Sequence, residues 1–127
     1  MPKLFEITVS AVFLDNENRV LLLKKNSGDR WMLPGGRVEE NETWEEGLRR
    51  EIKEETGIEN FSIKKITDVD TSDSKKSIII TCYCKIVATA EIRLSSEHPE
   101  YLWARKDDLD ALNFWHEKIR ERLKKLF

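Results

Sequence analysis

The segment Gly36–Ile58 reads GRVEENETWEEGLRREIKEETGI, and three of its glutamates have types and spacing that could do chemistry. On a helix at 100° per residue, Glu51, Glu54 and Glu55 fall within about 100° of arc. Like charges on one stripe repel, and each close pair costs a few tenths of a kcal/mol on a bare helix. Leu48 and Ile52 flank the stripe, which places the carboxylates beside a core rather than in open water. A divalent cation would relieve the repulsion, and an all-oxygen donor set favours Mg2+ or Mn2+ over zinc. The competing reading of the glutamates alone is an ordinary solvated helix in a Glu-rich chain.

The elements that must position these residues can be read along the chain. Phe5 to Leu14 is apolar and β-branched, a predicted strand, followed by the turn cluster Asp15 to Asn18 and a second strand from Arg19 to Lys25. Asn26 to Arg30 reads as a polar loop, and the apolar Trp31-Met32-Leu33 is stopped by Pro34-Gly35-Gly36. The clearest helix runs from Thr43 to Thr56. Thr43 and Glu46 form a capping box, and Gly57 occupies the left-handed terminating position. Strands are predicted at Phe61 to Val69 and Ser77 to Ala90, with a hairpin loop from Asp70 to Lys76. Tyr101 to Ala104 reads as a short strand. A second helix is predicted from about Asn113, with Trp115, Ile119, Leu123 and Leu126 on its apolar face. Strands before, between and after the helices predict a mixed α/β fold with a sheet between helices.

Composition narrows the function classes. The 127 residues fit one hydrophobic core. The 22 basic and 24 acidic side chains leave a net charge of −2, which gives no general attraction to nucleic acid or anionic membrane. No apolar run approaches the ~20 residues needed to span a bilayer, and no signal peptide is visible in MPKLFEITVS, so a cytoplasmic location is expected. Cys82 and Cys84 should share one face of a strand. They are poorly placed for a disulfide, lack a zinc partner cluster, and read as buried free thiols of a reducing compartment.

The segment resembles the Nudix box, G-x5-E-x7-R-E-U-x-E-E-x-G-U with U a bulky aliphatic. Gly36, Glu42, Arg50, Glu51, Ile52, Glu54, Glu55, Gly57 and Ile58 fill every specified position. The lead-in Trp31 to Gly36, and the later Glu100 to Trp103 followed by Asp107-Asp108-Leu109, extend the resemblance over nearly the whole chain. It implies one Nudix domain over residues 1–127, with the box at 36–58. The fold it implies is a Nudix-type α/β/α sandwich with a mixed central sheet.

The resemblance also implies roles. Glu51, Glu54 and Glu55 would bind Mg2+, or alternatively Mn2+, with the Gly35 carbonyl as a further ligand. Gly35 and Gly36 allow backbone to approach a metal or phosphate, the plain alternative being a turn. Arg50 would pair with Glu42 and orient the carboxylates. Glu51 is the first candidate for general base; in other members a glutamate on a later loop serves, and Glu97 and Glu100 lie in such a segment, although solvated loop charges are the alternative. His98 reads as a surface residue and His116 as surface or half-buried, and neither supports a nucleophilic triad. Lys25 or its neighbour Lys24 could meet a substrate phosphate, against a solvated strand end. Trp31 could stack on a base, against core packing.

The activity implied is Mg2+-dependent hydrolysis of a nucleoside diphosphate linked to another moiety, with a small-molecule nucleotide as partner. The substrate stays open among nucleoside triphosphates, dinucleoside polyphosphates and nucleotide sugars. The proline expected about fifteen residues beyond the box in many ADP-ribose hydrolases is absent, as is the SQPWPFPxS array of NADH-type members. The balanced charge disfavours messenger-RNA decapping. The resemblance leaves a homodimer open. The rival class is a non-catalytic Nudix fold used for nucleotide binding or interaction, which typically loses box glutamates; here all are present.

Overall fold

Strand β1 (Glu6–Phe13) shows how the chain builds two cores from one sheet. Its side chains alternate as a pleated strand requires. Ile7, Val9, Ala11 and Phe13 enter one apolar cluster, while Val12 turns into another with Leu14. The computed structural model describes residues 1–25, 28–87 and 91–126.

The remaining elements are β2 (Val20–Lys24), β3 (Trp31–Met32), β4 (Gly35–Arg37), α1 (Trp44–Thr56), β5 (Phe61–Thr71), β6 (Ser77–Ile86), β7 (Glu100–Ala104) and α2 (Glu117–Leu126), with a short 3-10 turn at Lys106–Asp108 before α2. A four-stranded sheet has the order β4-β1-β6-β5, in which β1 and β6 run parallel and the other pairs antiparallel. This is the mixed sheet expected. An antiparallel set, β3-β2-β7, accompanies it. Helix α1 buries Leu48 and Ile52 against Val9, Phe13, Leu21, Cys82 and Cys84. Helix α2 supplies Leu123 and the partly buried Ile119 and Leu126 to the second cluster, with Val12, Val20, Leu22 and Ala104. Helices therefore cover both sides, giving the α/β/α sandwich that the resemblance implies. Both cysteines are free and buried on one face, as their spacing requires. No helix among the described residues is long and apolar enough to cross a membrane.

Four expectations need correction. The Pro34-Gly35-Gly36 stop proves to be the entry to β4, because β1 offers a partner edge: Val9 pairs with Gly36 and Ser10 with Gly35. Gly35 has φ 156°, and a Cβ there would lie 2.0 Å from the Val9 carbonyl oxygen, so the pairing tolerates only glycine. The second helix starts at Glu117 rather than near Asn113. Trp31 N–H donates to the Asn113 carbonyl at 2.7 Å and Trp115 N–H to the Trp31 carbonyl at 2.8 Å, holding residues 113–115 extended beside β3. Trp115 consequently leaves the predicted apolar face and is 42% exposed. Strand β5 continues to Thr71, through register shifts at Ile63/Lys65 and Ile66/Asp68 that blur its alternation. The strand predicted to Ala90 ends at Ile86; residues 88–90 lie outside the described residues, as do Asn26 and Ser27 of the predicted loop.

Ile52 is fully buried at the centre of the first cluster, whereas the neighbouring Lys53 side chain is 64% exposed. Ile52→Ala should lower stability by about 2–5 kcal/mol, and Lys53→Ala by no more than about 0.5 kcal/mol. Urea unfolding with unchanged slope checks both values.

Candidate active site

Helix α1 is fixed at both ends. Thr43 Oγ1 accepts from Glu46 N–H at 3.1 Å, and Glu46 Oε1 accepts from Thr43 N–H at 2.8 Å, completing the predicted capping box. Gly57, at φ 77°, closes the helix with its N–H on the Lys53 carbonyl. Between these caps, one helix face meets β4 residue by residue. Glu55 Oε1 accepts from Gly35 N–H at 2.7 Å. The Glu51 carboxyl fills the space that a Cβ on Gly36 would take, with its Cδ 2.3 Å from that position. Arg50 Nη2 donates to the Arg37 carbonyl at 2.8 Å. Three consecutive strand residues thus hold three helix side chains.

Arg50 organises the charges. Its Nη2 and Nε donate to the two oxygens of Glu42 at 2.7 and 3.1 Å, a bidentate fork, and Nη1 donates to Glu51 at 2.8 Å. The same Nη1 reaches Glu54 at 3.4 Å. The pairing expected of Arg50 and Glu42 is therefore present. The Arg50 hydrogen bonds, with a further one from Glu39 N–H, hold the Glu42 carboxyl down at about 2, and the carboxylates in turn push Arg50 well up. Glu42 contributes stability above its ordinary 4.5 that is lost as pH falls through about 2.

The carboxylates nearer β4 are less comfortable. Burial raises Glu51, with Arg50 opposing and the charges of Glu54 and Glu39 adding to the rise. Burial, partly offset by Gly35 N–H, pushes Glu55 up to about 8, and the charges of Glu51, Glu97 and Glu54 push the same way. Glu55 is buried, Glu51 half-buried and Glu54 exposed, so only part of the stripe lies beside the core. Among the described residues no three His, Cys, Asp or Glu side chains already form a metal-holding group. The donors nonetheless suit a hard cation: carboxylate oxygens of Glu51 and Glu54 meet at the positive Nη1 of Arg50, and Glu55 is held where its charge is costly. By strand alternation the Gly35 carbonyl shares the edge from which Gly35 N–H reaches Glu55.

The other candidates separate. Glu97 is exposed, and its charge is felt at Glu55. Glu100 lies across the β2–β7 pairing from Lys24, whose Nζ it meets at 3.6 Å. Lys25 Nζ lies 4.0 Å from the Trp115 ring centre, and its charge is felt at His98. Trp31 is half-buried against the second core cluster, under Lys24 Nζ at 5.9 Å. His116 is exposed, as one of its readings required, and its Nε2 lies 3.0 Å from Asp73 Oδ2.

His98 overturns the surface reading. It is 4% exposed, with Nδ1 3.3 Å from Glu55 Oε2, and burial pulls its basicity down. The segment leading to it is stitched to the end of α1, with Arg93 N–H on the Thr56 carbonyl at 2.7 Å and Ser95 N–H on the Glu55 carbonyl at 3.3 Å. Helix ends leave carbonyls without partners, so some segment had to supply donors, but nothing local in SSEHPE identifies which.

A cavity of about 360 Å³ adjoins the site. Gly35 and Gly36 line it together with Thr8 and Ser10 of β1, and Trp115 and Arg122 bound it on the α2 side. Arg122 is fastened to Asp68 and Asp70 at 2.7 and 2.9 Å, and Lys118 to Asp70 and Asp73 at 3.3 and 3.4 Å, so α2 is tied to β5 and its hairpin along the cavity.

The Glu55 shift has a definite sign. Because its folded value lies above 4.5, the stability it allows is present below pH 4.5 and is lost as pH rises through about 8. In metal-free protein, Glu55→Gln keeps an oxygen for Gly35 N–H and should raise the thermal midpoint above wild type at about pH 9, with the gain closing below pH 4.5. A midpoint difference that does not vary with pH contradicts this placement of the charge.

The NUDIX domain family model matches residues 4–126. The chain is 32% identical over 108 residues to a MutT-like protein of Streptomyces ambofaciens, covering 85% of this chain and 69% of that protein. It is 33% identical over 120 residues to the nucleoside triphosphatase NudI of Escherichia coli O17:K52:H18, covering 80% and 84%. The crystal structure of a MutT protein from Methanosarcina mazei Go1 superposes with a TM-score of 0.78 at 27% identity, covering 98% and 94%. With a complete box folded as α1 against β4, the chain belongs to the Nudix hydrolase family, enzymes acting on phosphoanhydride bonds.

Proposed function

We propose that this chain is a Mg2+-dependent pyrophosphohydrolase that cleaves a nucleoside diphosphate linked to another moiety, whether in a nucleoside triphosphate, a dinucleoside polyphosphate or a nucleotide sugar. One observation carries the reading: Gly35 and Gly36 meet the α1 carboxylates and also line a cavity of nucleoside size. A bound nucleotide would thereby place its phosphates at the glutamates.

Glu51, Glu54 and Glu55, with the Gly35 carbonyl, would hold the cation, and Arg50 orients them through Glu42 and the Arg37 carbonyl. Bound Mg2+ supplies neutralisation of phosphate charge and acidification of a water. Glu51 is the first choice to accept the proton of the attacking water, being half-buried and raised in basicity; Glu97, whose charge reaches Glu55, is the second. Lys25, whose ammonium lies over the Trp115 ring at the cavity wall, carries a charge suited to a phosphate. Trp115, which lines the cavity, is better placed to stack on a base than Trp31, which packs against the core. The similarity to a nucleoside triphosphatase favours triphosphates as the first substrates to test.

Phosphate and nucleoside monophosphate release should be screened across nucleoside triphosphates, dinucleoside polyphosphates and nucleotide sugars, with and without Mg2+. Turnover is expected only with Mg2+, and Glu54→Gln should cut it at least about 100-fold, equivalent to about 2.7 kcal/mol of transition-state stabilisation. The exposure of Glu54 means that the variant should keep its thermal midpoint. Full activity in Glu54→Gln rules out the assigned metal role.

A further inference from the structure

Glu55 is the most buried of the α1 carboxylates and is held by two contacts from different elements. Gly35 N–H takes Oε1 at 2.7 Å, and His98 Nδ1 approaches Oε2 at 3.3 Å. A glutamate has three side-chain torsions, so one contact leaves its carboxylate plane free to turn, whereas two contacts on different oxygens fix it. Oε1 retains a lone pair after its hydrogen bond from Gly35 N–H, and Oε2 meets His98 only as an ion-pair contact, so the clamp leaves Glu55 able to ligate. With Glu55 ionised, the contact is attractive only when Nδ1 carries the hydrogen. His98 is itself fixed: its N–H donates to the Ser95 carbonyl at 3.2 Å, Ser95 Oγ lies 3.4 Å from Nδ1, and Ser95 N–H reaches the Glu55 backbone carbonyl. The segment is therefore anchored on the same residue whose side chain it touches.

We infer that His98 is a positioning residue for the metal site, clamping the Glu55 carboxylate against Gly35 so that its free lone pairs face the cation. The inference rests on the proposed function, in which Glu55 is a metal ligand. It concerns orientation of Glu55 and assigns His98 no proton transfer. An imidazole placed behind a ligand in this way commonly changes metal affinity or activity by about 10–100-fold when removed.

The test uses Mn2+ as the probe, with free Mn2+ followed by electron paramagnetic resonance. His98→Ala should raise the Mn2+ Kd about tenfold or more and lower kcat by a similar factor, with KM changed by less than about threefold. Two polar replacements separate orientation from simple filling of a buried space. Asn can place an amide N–H near the Nδ1 position, whereas Gln carries its amide about where Nε2 lies. His98→Asn should recover most of the Mn2+ affinity and kcat, and His98→Gln should not. Equal Kd values for folded Asn and Gln variants, or an Ala variant within about twofold of wild type, overturn the inference. If wild type itself binds no Mn2+, the proposed function fails instead.

Discussion

Like charges gathered on the inner face of a helix cannot stay there uncompensated, and in this protein the guanidinium of Arg50 is what compensates them. It faces Glu42, Glu51 and Glu54 at once and uses its remaining hydrogen on the Arg37 carbonyl. With Arg50 25% and Glu42 14% exposed at the side chain, the pair lies far enough from water for the geometry to matter. The fork fixes the loop carrying Glu42, the azimuth of α1 and the distance of α1 from β4 together. A lysine could supply the charge but not the five donors in a plane.

The same constraint explains why β4 is an edge strand of glycines. A sheet edge exposes N–H and C=O groups that usually attract another strand. Here α1 side chains take them: Gly35 N–H goes to Glu55 and the Arg37 carbonyl to Arg50. Side chains on 35 or 36 would strike Val9 or Glu51. The opposite edge of β4 pairs with β1, whose Thr8 and Ser10 continue into the cavity wall. Packing of the sheet and placement of the site are thus one arrangement.

The parts legible in the sequence are those whose causes are local. Thr43, Glu46 and Gly57 mark the bounds of α1 within its own fifteen-residue neighbourhood, and the structure places Thr43 and Gly57 as its two caps. The 3.6-residue period placed Leu48 and Ile52 in the core, and the period of two placed Cys82 and Cys84 on one face. What escaped depends on partners distant in sequence. Gly35–Arg37 becomes a strand only because β1 is beside it. Trp115 fits a helical period, yet hydrogen bonds to Trp31 hold it extended. His98 has no local reason to be buried; its burial follows from the end of α1, more than forty positions earlier, needing donors. Sequence also grouped Glu97 with Glu100, whereas in the structure the charge of Glu97 acts on Glu55 and Glu100 pairs with Lys24.

The site is consequently a set of groups whose charges are balanced for a cation to enter: an arginine where carboxylates meet, and a buried glutamate whose charge is costly without a positive partner. The most direct measurement is an anomalous-difference map from crystals of this chain soaked in Mn2+. The expected result is a peak bounded by Glu51, Glu54 and Glu55 oxygens at roughly 2.0–2.3 Å, beside the Gly35 carbonyl, with Arg50 Nη1 withdrawn toward Glu42. A map with no peak there at saturating Mn2+, and Arg50 still bridging Glu51 and Glu54, would contradict the central claim.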